Sequence, residues 1–76
     1  MSTPALVEHF FRHEYGKLVA TLTRRFGVVH LSDIEDAVQS ALMSALTHWP
    51  ATGVPDKPSA WLFRAAQNQL LSALRT

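Results

Sequence analysis

Residues 32–49 read SDIEDAVQSALMSALTHW, and the periodicity of this stretch decides the fold. Advancing each residue by ~100° around a helix axis puts Ile34, Val38, Ala41, Leu42, Ala45 and Trp49 on one stripe, with Ala37 and Leu46 at its edges. Asp36, Gln39, Ser40 and Thr47 fall opposite. That division is the mark of an amphipathic helix laid on a core. Ser32 followed by Glu35 predicts a capping box at its start, and Asp33, Glu35 and Asp36 put negative charge where the helix dipole favours it. Pro50 is expected to end the helix, because proline disfavours helical geometry at the residue before it. Met43 breaks the division, since it projects from the middle of the polar face. A single exposed apolar residue needs no explanation, and a methionine among acids and amides equally suits an adaptable protein-binding surface.

On the N-terminal side, Thr3 and Pro4 read as a helix start, with Thr3 as the cap and Pro4 at the first helical position. Val7, Phe11, Leu18, Leu22 and Phe26 supply apolar contacts at helical spacing, with Leu6, Phe10 and Val19 beside them. Gly16 weakens this run by ~1 kcal/mol relative to Ala. One helix to about Arg25 is expected, with a break near Gly16 as the alternative. Gly27 is a natural residue to end it. Arg24 and Arg25 suit the negative end of that helix, which is explanation enough for both. His9 and His13 are four apart, but Phe10 stands where a zinc protease needs Glu and no third ligand is evident, so no metal site is expected.

On the C-terminal side, residues 50–57, PATGVPDK, form a loop by composition. A further helix start follows at Pro58. Leu62, Phe63, Ala66, Leu70, Ala73 and Leu74 lie on one broad side of that run. Arg64, Asn68, Ser72 and Arg75 line another, with Trp61 among them and Lys57 at the start. Such a strip can hold phosphates and stack an unpaired base, but the residues alone favour a solvated face with Trp61 tucked against the loop. No glycine or proline stops this helix before Thr76, so the natural chain is expected to be longer.

With 76 residues the chain is one small domain, able to bury only about 60% of its unfolded surface. It has 47% hydrophobic residues and no cysteine, so a packed core rather than disulfides or thiolate-bound metal must hold it. No apolar run approaches the ~20 residues of a membrane span, and the start lacks a signal-peptide layout; a soluble, cytoplasmic domain is expected. The expected fold is all-α, a compact bundle of three to four helices. The net charge of +1 is uninformative, but its distribution is not. Positions 26–55 carry Asp33, Glu35 and Asp36 with no Lys or Arg, whereas 57–76 carry Lys57, Arg64 and Arg75 with no acid. An acidic central helix and a basic last helix suggest two different partners. Nothing forms a nucleophile–base pair or a phosphate-cradling glycine loop, so binding rather than catalysis is expected, with no cofactor.

The run IEDAVQ (34–39) with Leu42, Leu46 and Trp49, a short loop, and then AWLFRAAQNQLLSALR (60–75) resembles region 2 of bacterial sigma factors, most closely the extracytoplasmic-function (ECF) group. The resembling pieces are Glu35-Asp36, Gln39, Trp61-Leu62 and Ala66-Gln67-Asn68, and the likeness extends from about Val7 to Arg75. It implies that the helix bearing Glu35, Asp36, Gln39, Ser40 and Met43 binds the clamp helices of the RNA polymerase β′ subunit. It implies that Lys57, Trp61, Arg64, Gln67, Asn68, Ser72 and Arg75 engage the promoter −10 element, whose non-template strand is held open with a base flipped out. The loop residues Ala51, Thr52, Gly53, Val54 and Asp56 would form the pocket for that base, with Trp61 or Trp49 as its apolar wall. An anti-sigma factor or a regulatory C-terminal domain is a further implied partner, and the family's second DNA-reading domain, region 4, is not in this sequence. Three positions depart from the pattern: Gln67 stands where Arg is frequent, Ser72 where Asp is, and Ser40 where Glu is usual. The alternative from another class is a helical protein–protein module that never touches DNA.

Overall fold

The computed structural model describes residues 2–75; Thr76, to which the sequence pattern extends the last helix, lies outside the described residues. The order is α1 (Thr3–Phe26), a 3₁₀ turn (Val28–His30), α2 (Leu31–Thr52) and α3 (Pro58–Leu74). The expected all-α bundle is therefore observed. α2 lies in the middle, packed along both neighbours, while α1 and α3 touch each other only briefly. All six stripe residues of α2 are buried, and Ala37 joins them. Val7, Leu18 and Leu22 of α1 and Leu62, Ala66 and Leu70 of α3 close on this stripe from either side. Burial of each of the valine, leucine and isoleucine side chains contributes roughly 1.5–3 kcal/mol, and of each alanine methyl about 0.8 kcal/mol.

α1 is continuous through Gly16, an exposed position with open space around it. Its cap is Ser2 rather than Thr3: the Ser2 hydroxyl accepts from the Ala5 N–H at 3.4 Å, and Pro4 sits inside the first turn. Phe11, expected in the core, is 51% exposed. Val7 already fills the buried seam beside it, and Phe11 instead leans on Tyr15 with ring centroids 5.1 Å apart.

The capping box at Ser32 does not form. The 3₁₀ turn leads directly into the helix, Leu31 is already helical, and Ser32 is exposed within the first turn. His30 occupies the cap position with no side-chain capping bond, and its Nδ1 lies 3.9 Å from Asp33. Pro50 does not end α2 either, and the helix continues to Thr52. So late in a helix proline removes only one backbone bond, and the chain ahead of it is pinned. Trp49 is 2% exposed, edge-on to Phe10 at 6.1 Å and to Trp61 at 5.4 Å. The freed end is satisfied locally: Thr52 Oγ1 donates to the His48 carbonyl at 2.9 Å, and the Gly53 N–H donates to the Trp49 carbonyl at 2.8 Å. The connection is thus shorter than residues 50–57, with Ala51 and Thr52 still helical.

In α3 the apolar pattern runs one turn past the packing. Leu70 is its last buried residue, and Ala73 and Leu74 are exposed.

Candidate functional site

Two surfaces on different flanks of the bundle collect the residues singled out in the sequence. The first belongs to α2 and α1. Asp36, Gln39 and Met43 are exposed on α2, while Glu35 and Ser40 are half-buried. Met43 is 64% exposed although it is apolar. Gln39 Nε2 donates to the Tyr15 hydroxyl at 3.4 Å, which links this face to α1. Between the helices lies an open, mostly apolar groove of about 520 Å³ whose walls include Val7, Phe11, Gln39, Leu42, Met43 and Leu46. Phe11 and Tyr15 thus extend the Gln39–Met43 face onto α1. The sequence marked Phe11 only as core, because its spacing fits the apolar seam; exposure depends on where α2 lies.

The second surface is on α3. Arg64, Asn68, Ser72 and Arg75 are exposed along one strip, and Lys57 stands exposed before the first turn. Trp61 and Gln67 leave this strip toward opposite neighbours. Trp61 is half-buried against α2, with its ring centroid 5.4 Å from that of Trp49 and 6.4 Å from that of His48. Gln67 turns toward α1, where its Oε1 accepts from Arg25 Nη1 at 2.8 Å. Arg25, Ala60, Phe63, Arg64 and Gln67 together line a shallow cleft of about 390 Å³. Arg25 is the residue that sequence reasoning missed. Its place at the end of α1 already had an electrostatic explanation, and a contact 42 residues away in sequence leaves no local signal.

The loop residues divide. Ala51 and Thr52 close α2, and the Thr52 hydroxyl is committed to the His48 carbonyl, so only its lone pairs remain to accept. Gly53, Val54 and Asp56 are exposed in the irregular connection. Trp49 is buried and cannot be the wall of a pocket there, which leaves Trp61. The Trp49 indole N–H is itself buried without a partner among the described residues.

The sequence pattern of the Sigma-70 region 2 family matches residues 11–76, which is most of the chain. The chain belongs to the Sigma-70 region 2 family. It is therefore a sigma-factor domain of transcription initiation, built on an all-α bundle. This region 2 domain is also 42% identical over 41 residues to an uncharacterised protein of Rhizobium meliloti (strain 1021), a match covering 54% of the chain and 10% of that protein. The chain spans about a tenth of the length of that curated relative. No solved structure matches the chain. No described helix is long and apolar enough to cross a membrane.

Proposed function

We propose that this region 2 domain comes from an ECF-type sigma factor, joining the RNA polymerase core through α2 and the promoter −10 element through α3. The observation that carries the reading is the separation of two unlike surfaces on one small bundle. One is an acid-, amide- and methionine-bearing face beside an apolar groove. The other is a strip whose only charges are positive.

Glu35, Asp36, Gln39, Ser40 and Met43 would meet the β′ clamp helices. The acids supply complementarity to a basic partner and steer the encounter. Met43 and Phe11 present adaptable apolar surface at the centre, where interface energy concentrates. Lys57, Arg64, Asn68, Ser72 and Arg75 would follow the non-template strand of the −10 element, with the cations on phosphates and Asn68 free to read a base edge. Few cations are available, so binding by the isolated domain should be weak and better for single strands than for duplex.

A flipped base needs hydrogen bonds to its pairing edge and a surface to stack on. Backbone groups of the irregular connection 53–57, with Asp56, would supply the first and the half-buried Trp61 the second. A cytoplasmic location, an anti-sigma partner and a second DNA-reading domain elsewhere in the full protein belong to the same reading.

The deciding experiment is capture of a purified β′ clamp fragment by wild-type chain and by the double variant Asp36→Arg, Met43→Asp. Both positions are exposed, so the helical circular dichroism should be unchanged. Loss of hot-spot contacts of about 2 kcal/mol predicts roughly thirtyfold weaker binding. Wild-type affinity in the double variant would remove the exposed α2 face as the polymerase-binding surface.

A further inference from the structure

We propose that Arg25 of α1 and Arg64 of α3 form a two-helix clamp for a single DNA backbone phosphate, with Gln67 as the residue that positions Arg25. The proposal rests on the DNA-binding reading of α3 and adds to it a residue from outside that helix.

Three features of the cleft point to an anion. Arg25 and Arg64 both line it, one from α1 and one from α3, together with Ala60, Phe63 and Gln67. Guanidinium groups on one small cleft repel each other unless an anion is shared, and a phosphate oxygen pair matches the planar fork of arginine. Neither arginine is neutralised: the ion pairs among the described residues join Arg12 to Glu8 and His30 to Asp33. What holds Arg25 is the uncharged Gln67 carbonyl oxygen at 2.8 Å. A carboxylate there would hold the guanidinium equally well and cancel its charge. An amide fixes its direction and leaves the charge intact, with the other N–H donors of the fork still available.

The cleft walls explain why a phosphodiester is preferred to a base. They carry two cations, the Gln67 amide, one alanine and a half-buried Phe63, so charge rather than aromatic surface dominates them. Backbone contacts of this kind set register without reading sequence. The strand held by Arg64 and Asn68 would therefore be gripped on its α1 side by Arg25, while Trp61 on the opposite flank stays available to a base.

The test uses the whole chain and a labelled oligodeoxythymidylate, because a phosphate clamp does not depend on base identity. Binding is measured by fluorescence anisotropy across salt concentration. Each phosphate contact to a single strand contributes about −0.7 to the log–log slope. Arg25→Ala and Arg64→Ala are each expected to flatten the slope by about 0.7, so that a fourfold rise in salt costs about 2.6-fold less affinity than in the wild-type chain. Arg25→Lys should keep the wild-type slope. Gln67→Ala should weaken binding at unchanged slope, since the charge remains and only its tether is lost. Arg24→Ala, which does not line the cleft, is the control and should match wild type. If Arg64→Ala flattens the slope and Arg25→Ala does not, the clamp is wrong and the DNA reading stands. If neither does, the DNA reading of α3 fails and the clamp falls with it.

Discussion

Replacing Gly53 by L-alanine should destabilise the domain through the backbone alone. Gly53 has φ 89° and ψ 157°, a conformation at the end of α2 from which the chain turns toward α3. That region is closed to L residues and costs on the order of 1–3 kcal/mol when one is forced into it. A Cβ built there meets nothing within 4 Å, so no collision with neighbours adds to the cost. Alanine also narrows the unfolded ensemble, which offsets roughly 0.4–1 kcal/mol. The net expectation is a loss of about 0.5–2 kcal/mol. At roughly 4–8 °C per kcal/mol for a domain of this size, Tm should fall by about 2–16 °C. Thermal unfolding followed by circular dichroism at the helical band measures it. The chain is short enough for chemical synthesis, which permits D-alanine at the same position. D-alanine tolerates positive φ, so it should equal glycine or exceed it by up to about 1 kcal/mol. An L-alanine variant as stable as wild type, or a D-alanine variant equally damaged, would refute the backbone explanation.

Thr23→Val should raise Tm, because the Thr23 hydroxyl is buried without a hydrogen-bond partner among the described residues; removing it at constant shape is worth about 1 kcal/mol, and an unchanged or lower Tm would refute this. Gly16→Ala should add about 0.8–1 kcal/mol, since the site is helical with open space around it; a loss on chemical denaturation would mean that α1 does not run through position 16. Exchanging residues 51–56 for those of another region 2 domain, within a full-length sigma factor, should change the preferred base at one −10 position while core binding is retained. Unchanged base preference would assign specificity to α3.

The helical core was legible because its signal is local. Ile34, Val38, Ala41, Leu42, Ala45 and Trp49 recur at the helical period, and all six are buried. The same period on α3 correctly marked Leu62, Ala66 and Leu70 and overran onto Ala73 and Leu74. Periodicity reports which side of a helix is apolar, not where the neighbouring helix stops. The exposed strip of Arg64, Asn68, Ser72 and Arg75 was visible in the same way, and so was the isolated Met43.

The ends of α2 were misread where a local rule competes with packing. Ser32 and Glu35 satisfy the sequence form of a capping box, but Gly27 at φ 100° and the 3₁₀ turn start the helix before Ser32. Pro50 should have closed the helix at Trp49, but the Trp49 side chain is held between Phe10 and Trp61 in a conformation that continues it. A propensity of a few kcal/mol yields when a large buried ring fixes the backbone. By itself the sequence determined an all-α domain, its central helix, its buried stripe and the sign of charge on each exposed face, because all of these repeat within a few residues. Only the tertiary structure decided that Arg25 reaches Gln67 and shares a cleft with Arg64, that Phe11 opens onto a groove beside Met43, and that Trp49 is buried while Trp61 is only half-buried. Those are contacts between helices, set by how three apolar stripes of unequal length share one core, and no single stretch of chain encodes them.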